Sequence, residues 1–200
     1  MSTLFSRPAI ASAHLARLAD YRVLVVPGLH GSGPEHWQSR WQRLYPAFER
    51  VEQVHWSQPD LPRWSQRLGE VLAQSDRPVV IVAHSFGCLT TVHRAAALQA
   101  ESGSAFPIAA ALLVAPADPG KFEVGDEVSY RLTFPALVVG SENDPWMSAP
   151  RAQQWAKTWG ASFHHAGALG HINAESGLDD WLAGQELLLG LLERVRPPGL

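Results

Sequence analysis

Ser85 stands in the string V-A-H-S-F-G, between an unbroken apolar run and a helical pattern. A serine at a sharp strand-to-helix turn exposes its hydroxyl, and the pattern small-x-Ser-x-Gly suits the crowding of such a turn. Ala83 and Gly87 are the small residues here. A helix that starts at Phe86 aims free N–H groups and the positive end of its dipole at the same place. The Phe86 N–H is therefore a candidate oxyanion donor. A serine that merely caps a helix is the plain alternative, but the position after the most strongly apolar run favours a nucleophile.

A nucleophilic serine needs a base, and the base needs an orienting acid. On a strand–turn–helix elbow the chain order is Ser, then Asp or Glu, then His. Asp144 lies in S-E-N-D-P-W after one apolar run, and His171 in G-A-L-G-H-I-N after the next. Asp144-Pro145 could be only a turn, and Glu142 and Asp118 are competing acids. His164 and His165 fall within an expected strand, and no grouping of histidines has the H-E-x-x-H spacing of a zinc site. The loop P-G-L-H-G-S-G-P lets backbone approach a ligand closely, so the Leu29 N–H is the expected second oxyanion donor. His30 is an alternative donor or a pocket wall, and His84 and Trp146 are further pocket candidates. Neither a Walker A string nor a G-x-G-x-x-G is present. The chemistry is acyl transfer from an ester, thioester or amide, and it calls for no metal and no organic cofactor.

These residues need elements to hold them. Arg22–Pro27, Pro78–Ala83, Ile108–Ala115 and Ala136–Gly140 read as buried strands, with weaker strands at Val51–Trp56 and Ala161–Ala166. Helical stripes follow: Trp37, Trp41, Leu44, Tyr45 and Phe48, with Pro34 in the first turn; Leu61 to Leu72; Leu89 to Ala96; Ala152 to Trp159; and Leu178 to Val195. Trp37, Trp41, Trp155 and Trp159 read as core. Pro197-Pro198-Gly199 ends the last helix. Alternating strands and helices predict an α/β fold, a mostly parallel sheet of about six strands with helices on both faces. Ligands then bind beyond the carboxyl ends of the strands. The long connection from Ala117 to Phe134 is expected to shape the pocket.

The 200 residues suit one domain over 21–200 behind a tail over 1–20. A net charge of −3 draws in neither nucleic acid nor an anionic membrane surface. No apolar run reaches the length of a membrane span, and a cytoplasmic location is expected. Cys88, the only cysteine, can form no internal disulfide.

The strings V-V-P-G-L-H-G-S-G-P-E-H-W, V-A-H-S-F-G, G-S-E-N-D-P-W and G-H-I-N-A-E-S-G resemble the RBBP9/YdeN family of small serine hydrolases, over about Tyr21 to Val195. The resemblance implies an α/β-hydrolase fold without a large cap domain. It implies Ser85 as nucleophile, Asp144 as acid and His171 as base of an esterase-like or amidase-like hydrolase whose natural substrate it does not name; a small-molecule acyl substrate is the expectation. No cofactor is expected from the acyl-transfer chemistry, and the chain is expected to be a monomer or homodimer. Ala83 departs from the glycine that many hydrolases carry there. Human members are described as binding retinoblastoma protein, and no segment for such a partner stands out here. A partner-binding protein of this fold with little turnover is the alternative.

Overall fold

Runs such as V-L-V-V and V-V-I-V have no polar face, so they are stable only as strands covered on both sides. The computed structural model, which describes residues 18–102 and 107–195, places them so. Strands β1 (Arg22–Val26), β2 (Phe48–Arg50), β3 (Val79–His84), β4 (Ile108–Val114), β5 (Ala136–Gly140) and β6 (Ser162–His165) form one sheet in the order β2-β1-β3-β4-β5-β6. Every neighbouring pair is parallel. Five α-helices of the described residues cover it: α1 (Trp37–Leu44), α2 (Leu61–Leu72), α3 (Phe86–Ser102), α4 (Ala149–Trp159) and α5 (Leu182–Leu192).

The period-two alternation of strands sorts the core into two layers. Leu24, Val26, Ile81, Ala83 and Leu113 pack with α2, α3 and α4. Val23, Val25, Val80, Val82 and Leu112 pack with α1 and α5. Leu24, Ile81 and Leu112 are wholly buried, and burial of such a side chain contributes about 1.5–3 kcal/mol. Because β1 lies between β2 and β3, the chain leaves β1 outward and returns past it. The strand order reverses there, and the carboxyl ends of β1 and β3 open a crevice.

Several boundaries differ from the sequence expectation. The second strand is Phe48–Arg50 rather than Val51–Trp56, since Phe48, Glu49 and Arg50 are in register with Val23, Leu24 and Val25. Val51 N–H still donates to Val25 O, after which the chain leaves the sheet. Phe48 therefore belongs to β2 and not to the α1 stripe. Pro34 lies outside α1, which begins at Trp37 behind an N-cap at His36, whose Nδ1 accepts from Gln38 N–H. Leu178 and Trp181 precede α5, with Trp181 at its N-cap in a left-handed conformation. The Ala117–Phe134 connection carries two short 3-10 turns, Pro119–Phe122 and Asp126–Val128. Leu18 is buried, so packed chain begins before Tyr21. The rest of the expected tail, residues 1–17, and the closing Pro197-Pro198-Gly199 lie outside the described residues.

Candidate active site

Between β3 and α3 the chain turns on Ser85, whose φ is 53°. A non-glycine residue in this region costs strain, which is common where a side chain must be presented for chemistry. The turn needs close approach on two sides. A Cβ at Gly87 would overlap the carbonyl oxygen of Val26 at the end of β1. A Cβ at Gly28 would lie 2.7 Å from Ser85 Cβ and 3.0 Å from Phe86 N. The nearest demand for glycine at 87 thus comes from the end of β1 and the residue after it.

His171 reaches Ser85 from the loop after β6. Its Nε2 lies 3.0 Å from Ser85 Oγ. Its Nδ1 lies 2.9 Å from Asp144 Oδ2 and 3.1 Å from Oδ1. The Asp144 carboxylate accepts only, so Nδ1 carries the proton and Nε2 is free to accept from the serine hydroxyl. Asp144 Oδ1 also accepts from Trp146 N–H at 2.8 Å, and the carboxylate is almost wholly buried. The two loops are tied together: Gly170 N–H donates to Asn143 Oδ1 at 2.7 Å, and Leu169 N–H to Ser141 Oγ at 2.9 Å.

The other acids stand elsewhere. Asp118 accepts from Arg151 Nε at 2.5 Å and from Gly120 N–H at 2.9 Å. Burial opposes its ionisation, but these two bonds together with the Arg151 and Lys121 charges hold its pKa below the usual value. Glu142 is exposed. His164 and His165 lie on β6 and are exposed.

His84 precedes the serine and is buried. Its Nε2 lies 2.9 Å from the His171 carbonyl oxygen, so Nε2–H donates. Burial first, then the neighbouring His36 and His171, push its pKa well below the usual histidine value. His30 N–H donates to Trp56 O at 3.0 Å, which commits that backbone donor. Leu29 opens a 3-10 turn and Phe86 opens α3, and first-turn N–H groups have no partner within their own helix. Burial pushes the Cys88 thiol up, which disfavours its thiolate.

A cavity of about 450 Å³ lies over Ser85 and His171, walled by Leu29, His30, His84, Phe122 and Trp146 among others. Trp146 is 57% exposed at its mouth. A larger cleft of about 1000 Å³ lies elsewhere, beside Tyr21, Phe48 and Trp181. Among the described residues its walls hold no serine, cysteine or histidine, so they offer no Ser–His or Cys–His pair. No helix of the described residues is long and apolar enough to cross a membrane. None of their His, Cys, Asp and Glu side chains form a group of three able to hold a metal ion.

Residue types and spacing pointed to Ser85, Asp144 and His171. The parts played by Ser141, Asn143 and Trp37, whose Nε1–H donates to Ile172 O at 2.8 Å, had no local signal, since each grips a loop far away in sequence.

The chain is 38% identical to a YdeN-like hydrolase from Pectobacterium atrosepticum, over 90% of this chain and 96% of that one, with a TM-score of 0.82. The YdeN protein of B. subtilis is 16% identical over 87% of this chain and all of its own length, at a TM-score of 0.68. Est1E from Butyrivibrio proteoclasticus, solved with ferulic acid bound, is 14% identical over 86% of this chain and 89% of that one, at a TM-score of 0.61. These two more distant likenesses show the α/β-hydrolase fold alone. No curated protein matches this chain in sequence. The family model for serine hydrolases matches residues 23–189, and with the YdeN-like relative it establishes that the chain belongs to the serine hydrolase family, as a YdeN-like member with the α/β-hydrolase fold.

Proposed function

We propose that Ser85, His171 and Asp144 form the catalytic triad of this serine hydrolase, with Ser85 as the acyl-carrying nucleophile. The observation that carries the reading is the unbroken hydrogen-bond sequence from Ser85 Oγ through both His171 nitrogens to a buried carboxylate. His171 Nε2 takes the hydroxyl proton as Ser85 Oγ attacks the carbonyl carbon of an ester, thioester or amide. The tetrahedral oxyanion is held by the N–H groups of Phe86 and Leu29, which need no reorganisation as charge develops. His171 then protonates the leaving alcohol, thiol or amine as its bond to the acyl carbon breaks. Water, activated by the same imidazole, attacks the acyl-enzyme and releases the acid. Asp144 fixes the imidazole tautomer and stabilises the imidazolium in both halves.

The cavity volume and the exposed Trp146 at its mouth favour a small-molecule acyl substrate. The site residues are intact, which disfavours the alternative of a partner-binding protein with little turnover. A fluorophosphonate probe tests the reading: the wild type should be labelled and Ser85→Ala should not. Labelling that persists in Ser85→Ala would remove Ser85 from the reaction.

A further inference from the structure

Ile172, directly after His171, has a φ of 47°. A β-branched side chain disfavours this left-handed region more than most residues do. The side chain is wholly buried, so the turn cannot relax by swinging out to solvent. Something else must hold the backbone there.

Two buried ring N–H groups do so from separate elements. Trp37 Nε1–H, at the start of α1, donates to Ile172 O at 2.8 Å. His84 Nε2–H, at the end of β3, donates to His171 O at 2.9 Å. The His84 ring also packs edge-on to the His171 ring with centroids 4.8 Å apart. It also meets the His36 ring at 4.6 Å and the Trp37 ring at 6.2 Å between centroids. Successive carbonyls of one strained turn are thus gripped by the residue before Ser85 and by the helix across the crevice.

We propose that Trp37 and His84 are positioning residues: their N–H groups clamp the His171–Ile172 turn and so keep the imidazole aligned with Ser85. The inference rests on His171 being the base. The clamp matters because a shift of about 1 Å in a reacting group can cost about 100-fold in rate.

The test uses the full chain with Trp37→Phe, His84→Leu and His84→Gln, whose amide N–H replaces the lost donor. Turnover of p-nitrophenyl acetate is measured per site titrated to completion by a fluorophosphonate, well below each melting temperature. Trp37→Phe and His84→Leu should lower kcat per titrated site by about 10- to 100-fold and change KM less than about 3-fold. His84→Gln should recover most of the loss. A structural role alone would lower the number of titratable sites and leave kcat per site unchanged. That result, or equal kcat in His84→Leu and His84→Gln, would overturn the clamp. If Trp37→Phe does not fold, the two His84 variants decide. Failure of the triad reading is distinct, since it shows as labelling or turnover that survives in Ser85→Ala.

Discussion

Gly87, in the first turn of α3, sits so close to Val26 at the end of β1 that a single added carbon would overlap the Val26 carbonyl oxygen. Strand β1 carries the loop with Leu29, and α3 carries Phe86. This approach brings together the two segments that carry the proposed oxyanion donors.

Gly87→Ala should therefore destabilise the protein, although alanine is the better helix former by about 1 kcal/mol. Forced overpacking costs about 1–3 kcal/mol, and a chain of this size loses about 2–4 °C of Tm per kcal/mol. A fall in Tm of several degrees by circular dichroism is expected. An unchanged or raised Tm would contradict the close approach.

The two buried aspartates near the cavity should behave differently. Asp144→Asn removes the acceptor charge behind His171 and should lower kcat by about 10⁴-fold, as loss of the charged triad acid does in serine proteases. Asp118→Asn breaks a pair whose Arg151 side chain is 45% exposed, and such pairs contribute about 1 kcal/mol or less. Its kcat should stay within about 3-fold of wild type. The opposite ranking in steady-state kinetics would move the acid to Asp118.

Trp146→Ala keeps the backbone N–H that donates to Asp144 and removes only the ring at the cavity mouth. An aromatic contact adds about 0.5–1.5 kcal/mol. KM for aryl-acyl esters should rise by about 2- to 10-fold, with kcat for acetate esters nearly unchanged. A collapse of acetate turnover would show that the ring supports the proposed triad instead.

Stability should depend on pH through His36 and His84. Burial, then the Arg50 and His171 charges, lower the His36 pKa to about 3, and His84 is also held well below the usual histidine value. Above about pH 6.5 both states are neutral at these rings and neither contributes a pH dependence. As pH falls below that value the unfolded chain takes up protons that the folded chain refuses. Stability then falls by about 1.4 kcal/mol per pH unit for each ring, until each folded-state pKa is reached. Tm should be level from pH 8 to 7 and fall from 6.5 to 5, less steeply in His84→Gln. A Tm that does not change between pH 7 and 5 would contradict buried neutral rings.

What the sequence determined by itself was local or ordinal. Apolar runs had to be buried strands. Ser85 between such a run and a helix had to sit on an elbow, and acid and histidine followed in separate post-strand loops. The error at β2 has the same origin: Val51–Trp56 looks more strand-like than Phe48–Arg50, but pairing with β1 decides. Trp37 read only as core, and it is core, yet its indole N–H also holds a carbonyl 135 residues away. Ile172 gave no sign of a left-handed turn, because its intrinsic preference runs against one. Only the tertiary structure, in which distant donors stabilise that turn and β1 meets α3 at Gly87, decided how Ser85, His171 and Asp144 face one another. Hydrogen bonds and close packing between remote segments leave no periodic trace along the chain, whereas burial and turn sterics do.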